Sequence, residues 1–61
     1  MLNLKNMRLR EGLTQEDLAR KMNLSLSTIV KWEHGEMNPN CDNLSKLKKI
    51  LRCSLDELFV G

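Results

Sequence analysis

The sequence predicts an all-α fold, a compact bundle of five short helices, on three observations. Apolar residues recur at spacings of three and four, and no stretch alternates with period two. Ser, Thr or Asn precedes most of those apolar runs and Gly or Asn follows them, the residues that open and close helices cheaply. The 61 residues allow one domain at most, residues 1–61. A domain this small buries only roughly 60% of its unfolded surface, so its helices must be well capped.

The first helix is predicted from about Asn3 to Glu11. Leu4 and Met7 lie one turn apart and face inward, Leu9 falls off their stripe, and Gly12 ends the helix. The second opens at Thr14, which with Asp17 makes a short-armed capping box. Gln15, Glu16 and Asp17 fill its first turn, where acids suit the helix dipole. Leu18, Ala19 and Met22 point inward. Asn23 suits a left-handed turn position, and Ser25 caps a third helix from about Ser25 to Glu33. A turn of about three residues therefore joins the second and third helices. Ile29 and Trp32 bury together, and Gly35 ends the third helix. Asn38-Pro39-Asn40 is a turn, and Asn40 caps a fourth helix striped by Leu44, Leu47, Ile50 and Leu51. Lys46, Lys48 and Lys49 lie off that stripe, in water. Ser54 and Glu57 form a second capping box, opening a short fifth helix through Leu55, Leu58 and Phe59. Those three residues read either as core or as a dimer surface.

Composition narrows the function classes. Hydrophobic residues make up 41% and charged residues 30%, an ordinary globular mixture. Ten Lys and Arg against eight Asp and Glu give a net charge of +2, which permits a nucleic-acid partner without demanding one. Cys41, Cys53 and His34 make no metal set at a recognised spacing. The cysteines read as reduced, buried or half-buried small hydrophobes in a cytoplasmic protein. No apolar run approaches the ~20 residues of a membrane span. No acid–base pair in a plausible pocket and no phosphate-binding glycine loop argues for an enzyme, and no cofactor or small-molecule ligand is expected.

The informative pattern is the second helix, the short turn and the third helix, about residues 15–33. Steeply crossing helices need a small side chain near closest approach, and Ala19 supplies it. Leu18, Met22, Leu24, Ile29 and Trp32 anchor the pair from inside. Leu26, Ser27, Thr28, Val30 and Lys31 are left on the outer face of the third helix.

With these residues in place, the chain resembles the lambda-repressor-like (Cro/Xre-type) helix-turn-helix family. The resemblance is carried by Met7-Arg8, by Gly12-Leu13-Thr14-Gln15-Glu16-Asp17-Leu18-Ala19 and by Leu24-Ser25 with Ser27-Thr28-Ile29. Trp32-Glu33-His34-Gly35, Asn38-Pro39 and Ser54-Leu55-Asp56-Glu57-Leu58 complete it across nearly the whole chain. It implies a sequence-specific regulator of transcription, a repressor in type, that binds double-stranded DNA with the third helix in the major groove. By position, Leu26, Ser27, Val30 and Lys31 would meet base edges, with Lys31 reading guanine and Leu26 packing on a thymine methyl. Gln15, Thr28 and His34 would contact phosphates, which fix register without specifying sequence. The Gln15 amide would also brace the start of the third helix. Arg8 and Glu33 would form a structural salt bridge between the first helix and the end of the third. Two half-sites one helical turn apart would imply a homodimer on a palindromic site.

The chain departs from the family's pattern at four places. Asn23 and Arg52 stand where glycine is usual, and a left-handed Arg52 would cost roughly 1 kcal/mol against glycine. The alternative is an irregular end to the fourth helix. Leu26 is apolar where many relatives carry a polar base reader, and Glu36 puts an acid where a base is common. Leu26, Glu36 and the weak net charge favour the competing reading, a protein-interaction module of the same fold, antitoxin-like or otherwise partner-binding.

Overall fold

The computed structural model describes residues 2–59, which form five helices and, among the described residues, no strand. The helices are α1 (Leu4–Arg10), α2 (Gln15–Met22), α3 (Leu26–His34), α4 (Cys41–Leu51) and α5 (Leu55–Leu58). Every predicted helix is present, with ends within about a residue of those expected. The body measures 25 × 23 × 19 Å.

Four of the five helices open on a side chain that accepts a backbone N–H from the first turn. Thr14, Ser25, Asn40 and Ser54 do this for α2, α3, α4 and α5. At Thr14 and Ser54 the box is reciprocal. The Asp17 and Glu57 carboxylates accept the backbone N–H of the cap residue, at 3.0 and 3.1 Å. These bonds help hold both carboxyls below their ordinary values. For Asp17 the Thr14 backbone N–H is the largest cause; for Glu57 the Arg10 guanidinium comes first and the Ser54 backbone second.

The chain leaves α2, α3 and α4 through left-handed residues: Asn23 (φ 58°), Gly35 (φ 77°) and Arg52 (φ 52°). Arg52 thus takes the strained conformation and α4 ends regularly, settling the two expectations. A neighbour supports that turn. Arg10 donates from Nη2 to the carbonyls of Leu51 (3.2 Å) and Arg52 (3.0 Å), and from Nη1 to Glu57 Oε2 (2.7 Å). One guanidinium thereby caps the carbonyl end of α4 and ties it to α5.

The core is Leu4, Leu18, Ala19, Met22, Ile29, Trp32, Leu47, Leu51, Cys53 and Leu58. Ala19 is buried on α2, which packs against α3 more extensively than any other pair of helices packs. Leu24, in the three-residue turn Asn23-Leu24-Ser25, packs against this core. An antiparallel bridge joins Leu2 to Phe59, with the Asn3 N–H donating to the Leu58 carbonyl at 2.6 Å.

Among the described residues one charged pair is buried, Arg8 on α1 and Glu33 on α3, with side chains only 8% and 5% exposed. Arg8 Nε donates to Glu33 Oε2 at 2.8 Å and Nη2 to Oε1 at 3.3 Å, a bidentate fork. Arg8 Nη1 donates to the Leu13 carbonyl at 2.7 Å, pinning the α1–α2 loop as well. The pair assigned from the family resemblance is thus present, and among the described residues no buried side-chain polar atom lacks a partner.

Three outcomes test this account. Arg8→Met leaves the Glu33 charge buried and unpaired and should cost about 3–5 kcal/mol. At about 4–8 °C per kcal/mol for a domain this size, Tm falls by 12 °C or more. Adding Glu33→Leu should recover much of that loss, and a single-variant drop of a few degrees would show the pair to be dispensable. Arg52→Gly should raise stability by about 1 kcal/mol, because it relieves the left-handed strain and gives up only an exposed 3.7 Å pair with Glu11. A lowered Tm would refute the strain. The depressed carboxyls of Asp17 and Glu57 stabilise the fold above their ordinary values of 3.8 and 4.5. That stabilisation is lost as pH falls through the lower folded-state values. Urea midpoints should therefore hold from neutral pH to about 5 and decline below 4, and Asp17→Asn with Glu57→Gln should flatten the decline.

Candidate nucleic-acid interface

α3 carries two faces. Ile29 and Trp32 are 0% and 3% exposed and seat the helix in the core. On the other side Leu26 (43% exposed), Ser27, Lys31 and His34 are exposed, and Thr28 and Val30 are half-buried. The predicted base-contacting residues thus share the solvent side of one helix. The division follows from 3.6-residue periodicity: Leu26 and Val30 form one stripe four residues apart, and Ser27 and Lys31 form the adjacent stripe. Helix α3 is capped by Ser25, whose Oγ accepts the Thr28 N–H at 3.3 Å and also meets the Thr28 hydroxyl at 2.9 Å. When Ser25 donates in the second bond, the Thr28 proton is free to point outward.

Gln15 opens α2 and is half-buried. Its Nε2 donates to Glu33 Oε1 at 3.2 Å, joining the Arg8–Glu33 pair. The brace expected at the start of α3 is therefore made at its other end, because Glu33 presents an acceptor there while the start is already closed by Ser25. An amide nitrogen has two protons, so one remains for a second acceptor. Gln15 thus links the beginning of the first motif helix to the end of the second.

The chain beyond Gly35 folds back on α3: the N–H groups of Glu36 and Met37 both donate to the Lys31 carbonyl, at 2.9 and 3.4 Å. This sets the exposed Glu36 and the 45%-exposed Met37 at the end of the helix that carries Lys31 and His34. A recess of about 150 Å³ lies beside it, lined by Leu2, Trp32, Glu33, His34, Gly35 and Asn38. It is smaller than the roughly 300–1,000 Å³ of sites for small organic ligands.

The remaining assignments divide. Cys53 is buried, and burial pushes its thiol up. Cys41 is exposed, contrary to expectation, because it begins α4 in a turn where Asn40 and Asp42 are exposed too. Both thiols are free. Leu58 is core at 0% exposure, while Leu55 (45%) and Phe59 (43%) face outward, so the three do not act as one surface. Leu9, off the apolar stripe of α1, is 54% exposed. Arg10 was missed as a residue of the frame; its only sequence signal is a base in the last turn of α1. Among the described residues no three of His, Cys, Asp and Glu are grouped to hold a metal ion, and no helix is long and apolar enough to cross a membrane.

The sequence is similar to those of known proteins. A helix-turn-helix family profile matches residues 4–58. The HTH-type transcriptional activator BcrR of Enterococcus faecalis is 38% identical over 58 residues, which is 95% of this chain and 28% of that protein. An uncharacterized HTH-type transcriptional regulator of Archaeoglobus fulgidus is 32% identical over 57 residues, 93% of this chain and 81% of that one. The cryptic phage CTXphi transcriptional repressor RstR of Vibrio cholerae is 38% identical over 55 residues, 90% of this chain and 49% of that protein. No solved structure matches the chain significantly. With the helix pair, its three-residue turn and the family profile in agreement, the chain belongs to the Cro/Xre-type helix-turn-helix family of DNA-binding transcriptional regulators.

Proposed function

We propose that residues 1–61 act as a single domain that lays α3 in the major groove and represses transcription from the site it reads. The observation that carries this is the outward face of α3, where Leu26, Ser27 and Lys31 are exposed and Val30 half-buried, on a helix held by a buried ion pair. Ser27 and Lys31 supply hydrogen bonds to base edges, Lys31 to the O6 and N7 acceptors of guanine. Gln15, with its second amide proton, and the hydroxyl of Thr28 meet phosphates on either side, and His34 meets a phosphate beyond the end of α3. The domain works in the cytoplasm without a cofactor, as a homodimer on a palindromic site with half-sites one helical turn apart.

A second reading, a surface for a partner protein, is favoured by the exposed apolar side chains of Leu26 and Met37 beside the acid Glu36. Salt separates the two, because phosphate contacts release counterions and an apolar interface does not.

The purified domain is incubated with a random duplex library at moderate salt, and the retained DNA is sequenced. A roughly palindromic motif is expected, with affinity falling steeply as salt rises. Lys31→Ala should weaken binding by about 1–3 kcal/mol and relax one position in each half-site. Gln15→Ala should weaken binding to all sequences alike and relax none. With no motif, and retention at low salt no better than for an unrelated basic protein, the DNA reading fails and α3 becomes a protein-binding face.

A further inference from the structure

We infer that DNA binding by this domain is coupled to uptake of a proton at His34, so that acidification through the neutral range tightens it. The inference rests on the DNA-binding reading above and names how that same face is regulated.

His34 is the single histidine of the chain, and imidazole is the side chain whose ordinary titration falls between pH 5 and 8. It is the last residue of α3 and is exposed, at the helix end whose dipole favours a cation. Its surroundings supply no fixed counter-charge. Of the residues that share the recess beside it, only Glu33 is ionisable, and both Glu33 oxygens already accept from Arg8 and Gln15. From α1 the charge that reaches this end of α3 is Arg8, committed to Glu33 and to the Leu13 carbonyl, and from α2 it is the neutral amide of Gln15. The N-terminal segment lines the recess with Leu2 and the turn after α3 with Gly35 and Asn38, none of them charged. Lys31, one turn earlier on α3, and Glu36, just past Gly35, are exposed and oppose each other. Among the described residues His34 enters no ion pair. The anion that an imidazolium here would meet therefore comes from outside the chain.

The charge balance of the reading face makes that proton decisive. From Leu26 to Asn40 the formal charges outside the buried pair are Lys31 and Glu36. With His34 neutral they cancel, and α3 with its following turn offers the duplex no net charge. One proton on His34 makes this segment positive. An imidazolium donates a charge-assisted bond to phosphate and releases a counterion, whereas a neutral ring donates only an ordinary one. The sign follows from linkage. A group that holds its proton more tightly in the complex takes one up on binding, so affinity rises as pH falls and is lost as pH rises. A homodimer on a palindromic site takes up two.

An imidazole that holds its proton about tenfold more tightly against phosphate tightens binding up to about tenfold per subunit, and the slope of log affinity on log salt steepens by about 0.9 per imidazolium. The duplex recovered from the random library is titrated with the protein at pH 6, 7 and 8, each over a salt series. Tighter binding and a steeper salt slope are expected at pH 6. His34→Gln keeps a donor but takes no charge, so it should bind at the pH 8 level throughout. Glu36→Gln removes the opposing acid and should tighten binding at every pH while leaving the pH dependence in place. Equal affinity of the unaltered protein at pH 6 and 8, or a pH dependence that survives His34→Gln, would overturn the inference and leave sequence-specific DNA binding standing. Failure to recover any motif would instead remove the DNA reading itself, and the inference with it.

Discussion

The Arg8–Glu33 pair is the constraint on which the rest of the structure depends. Hydrophobic burial alone sets the distance between helices but leaves sliding and rotation cheap, because apolar contacts are non-directional. A two-pronged guanidinium–carboxylate contact is directional. Placed between α1 and the last turn of α3, with a third bond to the Leu13 carbonyl, it fixes where the outer helix ends relative to the frame. Gln15 extends that lock to the start of α2. The cost is two charges withdrawn from water, which a domain this small bears because each guanidinium nitrogen of Arg8 donates and both Glu33 oxygens accept. In this arrangement orientation is the benefit and stability is at best neutral.

Much of the fold was legible in the sequence because its punctuation is local. Thr14, Ser25, Asn40 and Ser54 open helices through bonds spanning three residues, so their chemistry can be read without knowing the tertiary structure. Gly35 and Asn23 close helices for equally local reasons. Arg52 shows the limit of such reading. A left-handed arginine looks unfavourable within its own segment, yet Arg10, 42 residues away, donates to its carbonyl and to that of Leu51. The compensation is non-local, and no window around Arg52 contains it.

The candidate site divides in the same way. That Leu26, Ser27, Val30 and Lys31 share a face follows from helical periodicity. That Gln15 reaches Glu33 does not, since it requires the crossing of α2 and α3. Cys41 departs from its residue type: a small thiol is usually buried, but the opening turn of α4 lies outside the core. Leu55, Leu58 and Phe59 share a face by helical spacing, but α5 ends at Leu58 and Phe59 leaves it in an extended conformation. Only Leu58 reaches the interior.

Helix α3 has to be both a core element and a reading head, and nine residues suffice because the two tasks occupy different stripes. Ile29 and Trp32 bear the packing. The outward residues bear little of it, so their replacement changes what is read without unseating the helix. The lock reinforces that separation, since it anchors α3 at Glu33, beyond the outward-facing Lys31. A domain built this way can alter specificity at Leu26, Ser27 and Lys31 with small stability effects, the ordinary behaviour of exposed positions. Val30, half-buried, is the exception, since its replacement also disturbs how the helix sits.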